Sequence, residues 1–579
     1  MVHSNLGFDV EPTVDENSNV SRSSSINSSS GSINDFPNER NSFTKIAHED
    51  EMENSSGQSS FGTKKFIASL DVGTTIIRCF IFNTNAEICA SAEERVELLH
   101  PEPGHIEMDP EETWNKCQLV IQKTVECVGA ENITSIGVCT QRGTFLLWDA
   151  VTGKPFHNLI TWKDLRADAL VKHWNKCFQM NCLRRGSRFL HFLTGSDRFL
   201  ASSVLTFMNA QVVMRLKWVL ENIAEMDKLI AGGRVRFGTL DTWIVHKLTQ
   251  GKVYASDYSN ASATAMFDPF LKEWSSFVLR FLGIPNLIFP ELRPSCGDWG
   301  TCHPSVCGAA LPITAVVSDQ GASLAGGGGH SRGHLKITLG TGAFMNLNTG
   351  EQPLATVCGI YPVVGWQEPK GRVVFMAEAS ALDVGTVMEW GQRVGLYTDV
   401  TETAAIGASV PDSGGVYFVP AFQGLQAPVN DSTATCGFMG IKAVTTRAHL
   451  VRALLDSLSF LVYQMFEAML DEARQPLLDA RVDGGVSRNE LIVQQIATLT
   501  QRRLTRYTTT QLSAQGTAVL AGLGAGVHKS ASAVDALLVV ERVFEPEASE
   551  RPRLLLHYAR WKKTCARFGA WTSSFEGQL

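Results

Sequence analysis

Lysine and arginine are too few to give this chain a basic face: 51 of them stand against 58 acidic residues, for a net charge of −7 and a pI near 6.1. Non-specific nucleic-acid binding, which needs basic stripes that release phosphate counterions, is argued against. No uninterrupted run approaches the roughly 18 apolar residues of a membrane helix. The N-terminus has neither a secretory apolar core nor an Arg-rich, acid-poor transit pattern, so a cytoplasmic protein without a transmembrane segment is expected. A disulfide framework is also missing. The 13 cysteines are scattered singly and odd in number, which fits a reducing compartment better than a secreted scaffold. The tightest group, Cys296, Cys302, His303 and Cys307, matches no paired zinc-knuckle spacing and reads as an irregular loop.

What is present is a long chain with ample material to bury. At 579 residues and 44% hydrophobic content it exceeds one core and predicts several domains. Residues 1–62 are Ser- and Asn-rich and net acidic; they offer too little apolar surface to offset chain entropy, and a disordered tail is expected there. From Phe66 the texture is α/β. Segments 66–71, 76–82 and 135–140 read as strands, and 110–127 as a helix with Asp109 at its cap, Pro110 in its first position and Glu111 and Glu112 in its first turn. Residues 447–472, 491–502 and 511–523 carry further helical patterns.

Two loops suggest chemistry. An apolar strand ends at Leu70-Asp71-Val72-Gly73-Thr74-Thr75, and a second breaks at Leu339-Gly340-Thr341-Gly342 before resuming. Glycine brings backbone N–H groups close to an anion and threonine adds a hydroxyl, so one loop from each half of a duplicated fold would clamp a nucleotide's phosphates; each alone equally reads as a simple turn. The repeat of strand, Gly-Thr turn and strand predicts two similarly built domains, 63–328 and 329–579, with a cleft between them. Between the halves, Ile313–Ser318 delivers Asp319 to the start of a small-residue helix, where a carboxylate serves either as a proton acceptor or as a helix cap. Asp71 either orders water around Mg²⁺ or ties down its turn. Gly484-Gly485 exposes backbone to a flat base, or merely reverses the chain.

Taken together, LDVGTT (70–75), TQRGT (140–144), FGTLDTW (237–243), ASDYSNAS (255–262), SDQGASLAG (318–326), LGTGAF (339–344), VPAFQGLQAP (419–428) and VDGG (482–485) resemble the FGGY carbohydrate kinases, and among them a divergent branch of the glycerol kinases. The resemblance implies α/β architecture in two actin-like, ribonuclease H-type domains with an interdomain catalytic cleft. It also implies closure over ATP and Mg²⁺, phosphorylation of a small polyol, most simply glycerol, and pairing as a homodimer. By position it assigns the general base to Asp319, polyol contacts to Gln320, Arg142 and Trp162, and the metal-side carboxylate to Asp71. The nucleotide falls to Thr74, Thr75, Arg78, Thr341, Gly485, Asn489 and Ala379, the last in place of the family's glycine. Two departures concern the acceptor. Gly143 follows Arg142 where the family carries a glutamate, and no tyrosine lies between Leu200 and Met208. The missing carboxylate leaves room for a larger or less hydroxylated acceptor, and Gly143→Glu is expected to improve glycerol binding if the backbone tolerates a Cβ.

Overall fold

The computed structural model describes residues 66–571 apart from 427, 432, 474, 533, 534, 536 and 537. The predicted N-terminal tail lies outside the described residues.

The first half is built on a sheet whose opening strands, β1 (Phe66–Val72), β2 (Ile76–Asn83) and β3 (Ile88–Arg95), run as an antiparallel meander. Helix α1 (Pro110–Val128) then returns the chain to β4 (Ile133–Thr140), parallel to β1 on its other side. The cap of α1 is as the sequence predicts: Asp109 accepts from the backbone N–H groups of Glu111 and Glu112. After an insertion that holds α2 (Phe178–Thr194), α3 (Asp197–Ser203) and α4 (Leu240–Leu248), the short β5 (Thr301–Cys302) and β6 (Leu311–Ser318) complete the sheet in the order β5-β6-β4-β1-β2-β3. Cys302 and Cys307, at the β5 corner, are paired as a disulfide, which the scattered-cysteine expectation did not anticipate.

Helix α5 (Asp319–Gly326) leads into the second half, which repeats the plan. Strands β7 (Leu335–Leu339) and β8 (Ala343–Gly350) pair antiparallel through the second Gly-Thr turn, and β9 (Tyr361–Gln367) lies outside β10 (Val373–Ala381), which pairs antiparallel with β8. The long helix α6 (Arg447–Glu472) returns to β11 (Ala480–Asp483), parallel to β7. Helices α7 (Glu490–Thr500) and α8 (Leu512–Gly524) flank β12 (Leu504–Tyr507), and β13 (Val540–Phe544) closes the sheet β9-β10-β8-β7-β11-β12-β13. In each half the first strand pairs antiparallel with the second and parallel with the strand after the helix, so the duplicated α/β plan holds.

One helix corrects a reading of the sequence. By length and composition α6 is apolar enough to cross a membrane, although no such run was expected; 78% of its apolar window is buried inside the second half, where it is the core helix. The boundary between halves is also less clean than the sequence suggests. Helix α8 belongs to the second half by position, yet it packs on β1, β4 and β6 of the first. Its glycines allow close approach: a Cβ on Gly524 would stand 2.1 Å from the Thr314 carbonyl of β6, and one on Gly516 1.9 Å from the Ala322 carbonyl of α5. An apolar layer with Ile67, Phe80 and Val317 from one half and Trp366, Ala518 and Ala521 from the other joins the two.

Candidate active site

The strand ends of both halves converge on one cavity of about 980 Å³. From the first half it is reached by Thr74, Arg142, Trp162, Asp319 and Gln320, and from the second by Thr338, Thr341, Phe344, Glu378 and Tyr361.

Asp319 stands where buried β6 breaks into α5. The cap role that competes for it falls instead to Ser318, whose hydroxyl accepts from the Gly321 N–H. The Asp319 carboxylate accepts from the Gln320 N–H at Oδ1, 2.8 Å away, and lines the cavity. Burial raises its pKa, and the Arg142 guanidinium, 3.5 Å from Oδ1, opposes that rise. Gln320 is held by Asn346, whose Nδ2 donates to Oε1 at 3.0 Å.

Arg142 leaves the end of β4 and donates from Nη2 to both oxygens of Glu378, at 2.8 and 2.6 Å. Among the described residues its Nε and Nη1 have no hydrogen-bond partner, Nε standing 3.5 Å from Asp319 Oδ1 as an ion pair. Glu378 comes from β10, across the cleft; burial raises its pKa and Arg142 counters. Lys336 on β7, itself buried, pairs with Asp483 at 3.1 Å and also favours the charged forms of Asp319 and Glu378.

The Trp162 side of the cavity is tied together by hydrogen bonds. Trp162 Nε1 donates to Thr74 Oγ1 at 3.0 Å, and Thr74 in turn donates to Gln141. Trp162 meets Phe344 edge-on. Behind it Arg215 is wholly buried and donates to the carbonyls of Ile160, Thr161, Gly143 and Ala210; burial lowers its pKa to about 9. That lattice fixes Gly143 at φ +74°, where an added Cβ would lie 2.8 Å from the Ala210 carbonyl. The backbone condition attached to Gly143→Glu is therefore not met.

The other sequence-assigned residues sit off the cavity wall. Ala379 points into the second-half core, because side chains alternate along β10 and its neighbours Glu378 and Ser380 take the cavity face; its methyl does not crowd the cleft. Asp71 is buried beneath the first loop and accepts from Ser513 Oγ at 3.0 Å. Burial raises its pKa, Arg78 lowers it, and the Asp319 charge adds to the rise. Arg78, opposite Asp71 in the β1–β2 register, pairs with Glu93, and Thr75 is exposed on the loop. Asn489 caps α7 and donates to Thr403. Gly485 has open space around it, whereas Gly484, at φ +91°, packs against the second phosphate loop, where a Cβ would lie 2.4 Å from the Leu339 carbonyl.

Glu378 and Tyr361 were missed from sequence. The signal for the first was the alternation of Ala377-Glu378-Ala379-Ser380 on a strand; reading it in twos puts the carboxylate, not Ala379, on the cleft. Tyr361 enters from β9 and its hydroxyl reaches Met208 Sδ at 3.3 Å, so the segment that lacks a tyrosine is met by one from the other half.

The models for the N-terminal and C-terminal domains of the FGGY family of carbohydrate kinases match residues 66–326 and 335–525. The chain belongs to this family. It is 44% identical to glycerol kinase 5 of Danio rerio, over 84% of this chain and 92% of the relative, and 39% identical to glycerol kinase 5 of Homo sapiens, over 87% and 96%. The crystal structure of Plasmodium falciparum glycerol kinase with ADP superposes with a TM-score of 0.77 at 26% identity, covering 88% of this chain and 99% of that one. This FGGY chain is thus an ATP-dependent carbohydrate kinase with two ribonuclease H-type domains.

Proposed function

We propose that the chain transfers the γ-phosphoryl group of ATP to a terminal hydroxyl of glycerol or a closely related polyol, with Asp319 as general base. The observation that carries this reading is the cavity in which Asp319, its helix capped by Ser318, faces the Arg142–Glu378 pair and the Thr341 loop.

The acceptor lies against Trp162, with hydroxyls offered to Arg142 Nε and Nη1 and to Glu378. Here the second domain supplies the carboxylate that the family places directly after the arginine. An acceptor hydroxyl beside Asp319 gives its proton to the carboxylate as its oxygen attacks the γ-phosphorus; the bond to the ADP oxygen breaks in line. Thr74 and Thr341 with the backbone of their loops cradle the phosphates, and Gly485 and Asn489 lie on the adenosine side. Domain closure, completed only when an acceptor fills the pocket, excludes water and suppresses hydrolysis of ATP.

Among the described residues no group of three or more His, Cys, Asp or Glu is set to hold a metal. The donors present suit Mg²⁺ that arrives on the nucleotide: buried Asp71 and cavity-facing Asp319 are carboxylates whose mutual repulsion a cation would relieve. When bound, Mg²⁺ neutralises charge on the phosphate oxygens. A cytoplasmic location and a homodimer are part of the same reading.

The test is a phosphoryl-acceptor screen of the full chain with γ-labelled ATP against glycerol, tetritols and pentuloses. Acceptor-dependent ADP release with a labelled polyol phosphate is expected. Nucleotide binding without turnover on any acceptor would instead mark a regulatory, non-catalytic protein.

A further inference from the structure

The cavity does not end at the acceptor wall. Past Trp162 and Ser203 it continues as an arm between α2, α3, the 267–278 loop and the start of β9. The arm is walled by Leu183, Leu190, Phe199, Leu205, Phe277 and Ile360, and apolar surface dominates the lining. Two of the charges along it are already engaged: Arg184 donates to the carbonyls of Leu205 and Asn175, and Arg198 pairs with Asp268 at 2.7 Å. A triol held at Arg142 and Asp319 leaves this arm unused, although about 980 Å³ is at the upper end of ligand cavities in general.

The outer side of α2 shares the same character. Phe178, Phe189, Phe192 and Leu193 are exposed, Phe192 by 83%, and Arg185 lies among them, whereas Arg188 of the same helix lines the cavity. Phe178, Arg185, Phe189 and Phe192 fall on one helical face, a pattern of aromatic and basic residues suited to a lipid surface. One helix thus walls the arm with its inner side and offers aromatic rings outward at the same place.

We propose, building on the kinase reading above, that the acceptor is an amphiphilic alcohol: a glyceryl-type head with free hydroxyls at Arg142, Glu378 and Asp319 and an apolar chain along the arm. The head's terminal hydroxyl oxygen bonds to the γ-phosphorus, its proton passes to Asp319, and the electrons of the broken P–O bond leave with ADP. The product is a phosphate monoester that keeps its chain.

The full chain is assayed with γ-labelled ATP on glycerol and on 1-O-butyl-, 1-O-hexyl- and 1-O-octylglycerol below their micellar concentrations. The expected result is a kcat/KM that climbs by roughly threefold per methylene until the arm is filled. Leu190→Glu and Phe277→Glu, at half-exposed positions of the arm, are each expected to cut the octylglycerol-to-glycerol ratio about tenfold. Turnover of glycerol with no gain from chain length overturns the inference and leaves the kinase reading standing. Failure of every acceptor, glycerol included, overturns both. A chain-length gain that neither variant reduces also overturns it, because the apolar contact would then lie outside the arm.

Discussion

Arg142 and Glu378 are 236 residues apart in sequence and come from different halves of the molecule, yet the Arg142 Nη2 bonds both carboxylate oxygens of Glu378. The pair bridges the cleft at the point where the acceptor is proposed to bind. It also sets the charge balance around Asp319, since Arg142 is the principal group holding that carboxylate toward its ionised form.

Glu378→Gln keeps the shape of the side chain and removes its charge. Losing one charged hydrogen bond to the acceptor or to Arg142 costs about 1.5–3 kcal/mol, so acceptor kcat/KM is expected to fall roughly ten- to a hundredfold. The dissociation constant for ATP, measured by calorimetry without acceptor, should stay within a factor of about two. An unchanged kcat/KM would remove Glu378 from the acceptor pocket.

Asp319→Asn is expected to retain nucleotide binding and lose about 10²–10⁴-fold in acceptor-dependent turnover, because an amide cannot take the proton. Burial raises the pKa of this carboxylate. The base works only when ionised, so kcat/KM should fall as pH drops through that raised value, with an acid limb above the ordinary carboxylate range. A variant that keeps turnover within twofold of wild type would assign the base elsewhere.

Gly143 tests the acceptor wall. At φ +74°, with the Ala210 carbonyl 2.8 Å from any Cβ, even Gly143→Ala should be destabilised by more than about 1 kcal/mol, and Gly143→Glu by more still. Thermal melts should show both variants below wild type. A stable Gly143→Glu with a lowered KM for glycerol would mean that the loop relaxes and the family's arrangement can be rebuilt.

The elements fixed by local chemistry were legible in the sequence: the Asp109 cap, the Gly-Thr turns, the delivery of Asp319 by a buried strand, and the small-residue helix α8. Their local patterns are the same ones that direct folding. What was not legible depends on tertiary partners. Glu378 reaches the cleft through strand parity together with the closing of two halves, and the positive φ of Gly143 is imposed by Arg215 and Ala210. That α8 crosses to the first sheet follows from backbone contact with β6 and α5, which no periodicity records.

Asp241, in the FGTLDTW segment at the start of α4, gives a prediction about stability that is separate from catalysis. Its Oδ2 accepts from Ser256 Oγ at 2.8 Å and from the Asp257 N–H at 3.3 Å, while buried Oδ1 has no hydrogen-bond partner among the described residues. Neighbouring Asp257 is satisfied as an anion by donors from Ser259, Asn260 and Ser295. Burial, with the Asp257 charge beside it, pushes the Asp241 pKa up to about 7. A carboxyl whose folded pKa is raised stabilises the fold most below its unfolded value, and that contribution is lost as pH rises toward the folded value. Wild type should therefore lose stability between about pH 4 and about pH 7 through this group. Asp241→Asn mimics the protonated form, keeps the oxygen that accepts from Ser256, and does not titrate. Its melting temperature should match wild type near the acid end of that window and exceed it by a few degrees above neutrality. Parallel melting curves across the range would show that Asp241 is already ionised in the fold and that Asp257 carries the proton instead.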